Sequence, residues 1–190
     1  LAVVVFDRYQ LLRAEGADAY EYRSATSVIS RCRDLGTSAA AAMAAPFDAG
    51  RAGAKELLVL KMMKDEGSWA RELQSRCAFE GTDAEATTVP VRSAVGIDRV
   101  GAAAIALSPT ASRRVHRCPE TVLQGARHEL AFELMAAYPF AICMPLAERN
   151  LLEIIESERA SGQPIGVLAF TARKIAVAID NLHQAGIAHS

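Results

Sequence analysis

The feature that most constrains this fold is an unbroken apolar run at residues 57–60, Leu-Leu-Val-Leu, which leads directly into Lys61. Such a run is typical of a strand that is buried on both faces. A lysine on a buried strand requires a counter-charge, because an unpaired ammonium group away from water costs on the order of several kcal/mol. Residues 69–77 favour a helix after Ser68, a suitable N-cap, and Glu72 in this helix is the candidate partner. We therefore expect Lys61 and Glu72 to meet.

Further strands and helices are expected on both sides of this pair. Short apolar and β-branched runs within residues 9–34 predict a strand pair, and another strand is expected at residues 89–95. Residues 140–144 predict a buried strand that ends at Pro145, which has no N–H to donate. Asn150 predicts the cap of a short helix. Near the C-terminus, apolar residues at helical spacing predict a helix with a core-facing stripe, which consists of Leu168, Ala172, Ile175, Ile179 and Leu182.

Composition and charge exclude several classes of protein. The 190 residues are 51% apolar and 23% charged, which suffices to bury the core of one ordinary domain. The formal net charge of -1 provides no broad basic surface, so neither nucleic acid nor membrane is expected as a partner. The four cysteines form no C-x-x-C pair, which argues against a zinc site or a disulfide framework. With no apolar stretch of ~20 residues and no signal-peptide pattern, we expect a cytoplasmic location.

Three segments of the sequence resemble a eukaryotic-type protein kinase domain. Residues 59–61, Val-Leu-Lys, are similar to the kinase V-A-I-K strand, and Glu72 matches the glutamate of the helix that follows it. Residues 140–147 resemble the strand and hinge, with Met144 at the gatekeeper position. Residues 175–190 resemble the helix that leads into the catalytic loop, where His189 matches the first residue of H-R-D and Ser190 stands at its arginine.

The resemblance implies a fold class and a division of the chain. The fold would be α+β: a kinase-like N-lobe, made of an antiparallel β-sheet plus the αC helix, followed by the first helices of an incomplete α-helical C-lobe. Residues 1–8 would be an N-terminal extension, and residues 9–146 the N-lobe, with insertions at about 36–54 and 96–130. Residues 147–190 would hold the hinge and the start of the C-lobe. The arginine-rich residues 113–117 are expected to be a solvated loop.

The resemblance also implies ATP-dependent phosphoryl transfer to protein hydroxyls, of the serine/threonine kind on family frequency alone. Lys61 would hold the ATP phosphates, and Glu72 would orient Lys61, as the catalytic pair. The residues expected around the adenine are Val28, Val59, Met144, Pro145 and Ala147. The expected partners are ATP and a protein substrate. Mg2+ would accompany ATP, and we expect its ligands and the catalytic Asp beyond Ser190, so no metal site is assigned here and this chain is not expected to be active alone.

Two departures from the kinase pattern leave alternatives open. Residues 21–27, where a Gly-rich phosphate loop is expected, contain no glycine, the residue that lets a backbone approach phosphate closely. Ser190 occupies the place of the usual arginine. These features suggest a pseudokinase or scaffold with weak or no nucleotide binding. A second alternative is an Ala-rich helical interaction module in which Lys61 and Glu72 never meet.

Overall fold

The computed structural model describes residues 2–12, 21–36, 57–81, 89–98, 105–147 and 162–184. The interpretations of residues 37–54, of Asn150 and the helix after it, and of His189 and Ser190 lie outside these ranges. The described residues form an α+β fold with one curled, mixed sheet and several helices. No helix among them is both long enough and apolar enough to span a bilayer.

Eight strands form the sheet within the described residues. They are β1 (Val4–Val5), β2 (Tyr9–Leu11), β3 (Tyr22–Arg23), β4 (Ser27–Asp34), β5 (Leu58–Met63), β6 (Ser93–Asp98), β7 (Val115–Pro119) and β8 (Phe140–Pro145). Their order across the sheet is β1-β2-β4-β5-β8-β6-β7, and β3 pairs with β4 outside this order. Strands β6 and β7 pair in parallel, whereas the other pairs are antiparallel. The expectation of a wholly antiparallel sheet is therefore wrong at this edge.

The helices of the described residues include the one that the sequence places after β5. They are α1 (Glu66–Cys77), α2 (Pro109–Arg114), α3 (Thr121–Gln124), α4 (Glu129–Ala137) and α5 (Ile165–Gln184). Helix α1 begins three residues earlier than predicted, because Asp65 rather than Ser68 is the N-cap, and its carboxylate accepts the Ser68 N–H at 2.6 Å. The predicted C-terminal helix is confirmed as α5, but no residue of α5 is buried within the described part of the chain. Its apolar stripe is therefore not a core face there.

Residues 105–137 are folded into the domain. The sequence predicts an insertion at about 96–130 with a solvated loop at 113–117, but these residues contain the end of β6, then α2, β7 and α3, and the start of α4. Helix α2 has Ser108 as its N-cap and Pro109 in its first turn, and it supplies the crossover that the parallel β6–β7 pair needs. The N-cap of α4 is His128, whose Nδ1 accepts the Leu130 N–H at 3.2 Å.

Each face of the sheet carries its own apolar core. We call the side chains on the concave face the interior core; they include Tyr9, Val28, Leu60 and Met62. The opposite face packs against α1. The concavity is evident because the Tyr9 hydroxyl lies 2.8 Å from the Ser93 Oγ, although their strands, β2 and β6, are not neighbours. Three residues of the predicted N-terminal extension belong to the interior core: Val3, Val5 and Phe6.

We predict that Gly96→Ala destabilises the fold. An added Cβ would lie 3.0 Å from Arg117 Nη1 and 3.2 Å from Phe140 Cδ1, so the β6 neighbours must shift to admit it. Overpacking of this kind should lower the free energy of unfolding by about 1–3 kcal/mol. Urea unfolding measures this loss. Gly125→Ala is the control, because its nearest atoms are 3.8 Å away, and its effect should stay within ~0.5 kcal/mol. Equal stability of the two variants would contradict this account of Gly96.

Candidate functional site

Lys61 and Glu72 form the ion pair that the sequence predicts. The Lys61 Nζ lies 2.7 Å from Glu72 Oε2, and the two side chains remain 24% and 20% exposed. Both side chains are therefore mostly, but not fully, buried. The contact joins the central strand β5 to the helix that immediately follows it in the chain.

Helix α1 presents Glu72 to the sheet because a neighbouring ridge of α1 is apolar. Trp69 and Leu73, four residues apart, are fully buried against the sheet. The indole N–H of Trp69 donates to the Ala141 carbonyl of β8 at 3.0 Å, and its ring lies 5.5 Å from that of Phe140. These contacts fix the rotation of α1 about its axis, which directs Glu72 toward Lys61.

Arg76 is a second cationic partner of Glu72. Its Nη2 and Nε donate to Glu72 Oε1 at 3.0 Å and 3.2 Å, so Oε2 is left for Lys61. Its Nη1 also donates to the Val89 carbonyl at 3.3 Å. The sequence interpretation missed Arg76, although the i,i+4 spacing of Glu72 and Arg76 was an available signal.

The electrostatics of the pair stabilise Glu72 as a carboxylate. Burial alone would raise the pKa of Glu72. The hydrogen bond from Lys61, together with the positive charges of Lys61 and Arg76, outweighs burial and lowers the pKa below its ordinary value. Glu72 is therefore ionised at neutral pH and holds a fixed negative charge beside the ammonium group.

Val59 and Met144 lie beside Lys61 on the same face of the sheet. Val59 is paired with Met144 across β5 and β8, and residues directly opposite each other in an antiparallel pair share a face. Val59 and Lys61 share this face because side chains two residues apart on a strand point the same way. Pro145 ends β8 opposite Leu58, and Ala147 is exposed two residues later.

Val28 does not join this group, and its predicted role beside Val59 is wrong for the described structure. Val28 is paired with Met62, which places it on the opposite face from Lys61, and it is fully buried in the interior core. The next residue, Ile29, is paired with Lys61 and is only partly buried. A shift of one residue in alignment exchanges the two faces of a strand, so the register identifies Ile29 as the side chain next to Lys61.

Three amide groups of the glycine-free turn between β3 and β4 are hydrogen-bonded within the turn. Ser24 Oγ accepts the N–H groups of Thr26 and Ser27 at 3.3 Å and 3.0 Å. The Ser24 N–H donates to the Ser27 carbonyl at 2.8 Å. The turn also accepts the Lys64 N–H through the Thr26 carbonyl at 3.1 Å, which places it just beyond Lys61 along β5. These three amides are therefore not free to bind an anion.

Two cavities lie away from Lys61. A groove of about 690 Å3 is lined by residues that include Arg117, Leu123 and Phe132. A smaller cavity of about 250 Å3 lies between the β1–β2 turn and β7. Neither cavity is lined by a predicted site residue. Among the described residues, no three His, Cys, Asp or Glu side chains are grouped so that they could hold a metal ion.

A scan against protein-family models, a search of curated proteins and a search of solved structures each give no match to this chain.

We predict that Glu72→Gln destabilises the fold in a pH-dependent way. The pKa of Glu72 in the folded protein is lower than its ordinary value of 4.5. The carboxylate therefore contributes its full stabilisation above pH 4.5, and this stabilisation is lost as the pH falls from 4.5 through the lowered pKa. At neutral pH the variant should lose about 1–3 kcal/mol, because Lys61 and Arg76 lose a charged partner. The gap from wild type should shrink between pH 5 and pH 3.

Urea unfolding across this pH range measures the gap. Glu133→Gln, on the exposed surface of α4, is the control and should change little. A gap that stays constant with pH would show that Glu72 contributes through packing rather than charge.

Proposed function

We propose that this chain carries the nucleotide-binding side of a protein kinase that transfers the γ-phosphate of ATP to protein hydroxyls, of the serine/threonine kind. The observation that carries the proposal is the 2.7 Å contact between Lys61 Nζ and Glu72 Oε2. This contact pairs a cation on a central strand with a carboxylate on the following helix. In kinase chemistry such a lysine holds the ATP phosphates, and the glutamate orients the lysine.

The physical basis is preorganisation of positive charge. A lysine ammonium on a flexible four-carbon stem loses conformational freedom when it binds phosphate. Glu72 holds Lys61 in one orientation before a ligand arrives, and Arg76 holds Glu72 in turn. Fixed donors aimed at a phosphate cost little reorganisation when the nucleotide binds.

The adenine would lie against the apolar side chains on the Lys61 face. Ile29, Val59 and Met144 provide an apolar wall there, with Ile29 replacing Val28 in this role. Beyond the wall, Pro145 retains a carbonyl acceptor, and Ala147 retains an N–H and a carbonyl. An apolar wall with a few backbone donors and acceptors is a common arrangement for binding a flat heterocycle.

The finer fold assignment is part of the same proposal. We infer that residues 9–146 correspond to a kinase N-lobe, with α1 as its αC helix, and that α5 corresponds to the start of the C-lobe. The antiparallel run β2-β4-β5-β8-β6, with α1 between β5 and β6 in the chain, supports this assignment. The four cysteines are free thiols, which favours a reducing cytoplasm.

Mg2+ would accompany ATP in this proposal. It neutralises charge on the phosphates when bound. No described residues are grouped to hold it, so we assign no ligand here, and only the role of Lys61 toward the phosphates is derived.

We predict that Lys61→Met abolishes nucleotide binding without unfolding the domain, because it removes the phosphate-binding charge and preserves most of the side-chain volume. In thermal unfolding with ATP and Mg2+, the wild type should be stabilised by about 2.7 kcal/mol at a nucleotide concentration 100 times Kd, and the variant should not respond. Lys64→Met is the matched control, since Lys64 lies on the same chain segment but contacts the Tyr138 ring instead. Nucleotide stabilisation that survives in Lys61→Met would overturn the assignment.

A second prediction separates the two faces of β4. Ile29→Ala should weaken ATP binding about tenfold, because it removes roughly 1.5 kcal/mol of apolar contact, with little loss of stability. Val28→Ala should instead cost about 1.5–3 kcal/mol of stability and leave the affinity of the folded protein unchanged, because Val28 is buried in the interior core. Isothermal titration and urea unfolding measure the two effects, and the reverse pattern would restore Val28 to the pocket.

A second candidate function is a pseudokinase or scaffold. The turn at residues 24–27 favours this candidate, because the N–H groups of Thr26 and Ser27 are already hydrogen-bonded to Ser24 Oγ. In kinases the loop at the corresponding position binds phosphate with free backbone N–H groups. The two candidates differ in the outcome of the nucleotide titration: a scaffold would give no stabilisation by ATP and Mg2+, and the full-length protein would transfer no phosphate. The helical interaction module receives no support, since it requires Lys61 and Glu72 to be apart.

A further inference from the structure

Helix α1 is too short to hold its own position. Its 12 residues bury only Trp69, Ala70, Leu73 and Cys77, and isolated helices of this length are marginal in water. The orientation of Glu72 therefore depends on what the rest of the chain provides around α1. The sheet holds one side of α1 through Trp69 and Leu73, and residues 105–119, a segment that the sequence alone suggests is an exposed insertion, contact the helix as well.

Residues 105–119 contact α1 near its start. The Arg117 Nη2 donates to Glu66 Oε1 at 3.0 Å, and the guanidinium lies over the Trp69 ring at 5.2 Å from its centroid. The same guanidinium approaches Asp98 at 3.5 Å, so one side chain links the first turn of α1 to β6 and β7. A planar guanidinium satisfies a carboxylate and an aromatic face at once, which an ammonium group cannot do as well.

The segment also contacts the middle of α1 and the residues just after it. Ala111 of α2 is fully buried in the same core as Leu73 and Cys77. The Gln74 Nε2 donates to the Ala106 carbonyl at 2.9 Å, and Arg114 pairs with Glu80 at 2.9 Å. Contacts at both ends and the middle limit both sliding and rotation of α1.

We propose that residues 105–119 are a brace that holds α1 with Glu72 facing Lys61, and that Arg117 is a positioning residue for the nucleotide site. The brace belongs to this chain, so the Lys61–Glu72 pair forms without a partner protein or a modification. Its consequence for nucleotide binding rests on the proposed function. The brace itself is independent of it, since it concerns only the contact between α1 and β5.

The chemical reactivity of Lys61 tests the brace without any nucleotide. The Lys61 amine should react slowly with an amine-acylating reagent such as acetic anhydride while it is hydrogen-bonded to Glu72 and mostly buried, because both restrict the approach of the reagent. If Arg117→Ala frees α1, Lys61 should be acetylated about threefold faster or more, as read by peptide mass spectrometry. Lys64 provides an internal reference in the same molecule, and its rate should not change.

Variants of the same segment provide controls. Arg113→Ala removes an equal charge from the exposed side of α2 and should leave Lys61 at its wild-type rate. Arg117→Lys keeps the charge toward Glu66 but loses the planar group over Trp69, and an intermediate rate is expected. If Arg117→Ala fails to give a cooperative urea transition, Arg117→Lys and Glu66→Gln carry the test. Wild-type Lys61 reactivity in the folded variants would overturn the brace.

Nucleotide affinity then connects the brace to the site. If only about one molecule in ten of Arg117→Ala keeps the pair formed, its Kd for ATP with Mg2+ should rise about tenfold. Faster acetylation of Lys61 with an unchanged Kd would refute the positioning role of Arg117. If the wild type binds no ATP, the proposed function is wrong. The acetylation rates still test the brace, because that experiment uses no nucleotide.

Discussion

The ion pair between Lys61 and Glu72 depends on the alternation of side chains along β5. Leu58, Leu60 and Met62 enter the interior core, so Lys61 must face the other way, toward α1. An ammonium group on that face is tolerated because a carboxylate meets it at 2.7 Å and remains partly hydrated. The apolar half of the strand therefore fixes the direction of the lysine, and the helix supplies its charge. A change in the packing of β5 or in the position of α1 would therefore also change the stability of the Lys61–Glu72 pair.

The elements that depend on short stretches of sequence could be predicted. The apolar run before Lys61 identifies β5, the run before Pro145 identifies β8, and helical spacing identifies α5. The partnership of Lys61 with Glu72 was also accessible, since a buried strand lysine demands a counter-charge and the next helix offers one. These inferences need only the spacing of apolar residues along the sequence and the free-energy cost of an unpaired charge. They do not require knowledge of which strands pair.

Features set by distant contacts were not predictable. The face that Val28 occupies depends on its register with Met62, and a shift of one residue would have reversed it. The parallel pairing of β7 depends on a crossover through α2, whose Ser-Pro start gives only a weak signal. Helical spacing on α5 predicts which residues share a face, but it does not provide a surface to cover them. In each case the missing information lies in another part of the chain.

The hydrogen bond between Tyr9 and Ser93 has a consequence for how the chain folds. It joins side chains 84 residues apart and completes the interior core, where Tyr9 is fully buried. Until β6 has joined the sheet, Tyr9 lacks both its Ser93 partner and part of the core that buries its ring, so the N-terminal strands gain their full stability only afterwards. Contacts with such large sequence separation slow folding, typically to milliseconds or seconds. During synthesis, strands β1 and β2 therefore leave the ribosome well before β6, the strand that completes their core. Until β6 is made, their unpaired edges are exposed to self-association.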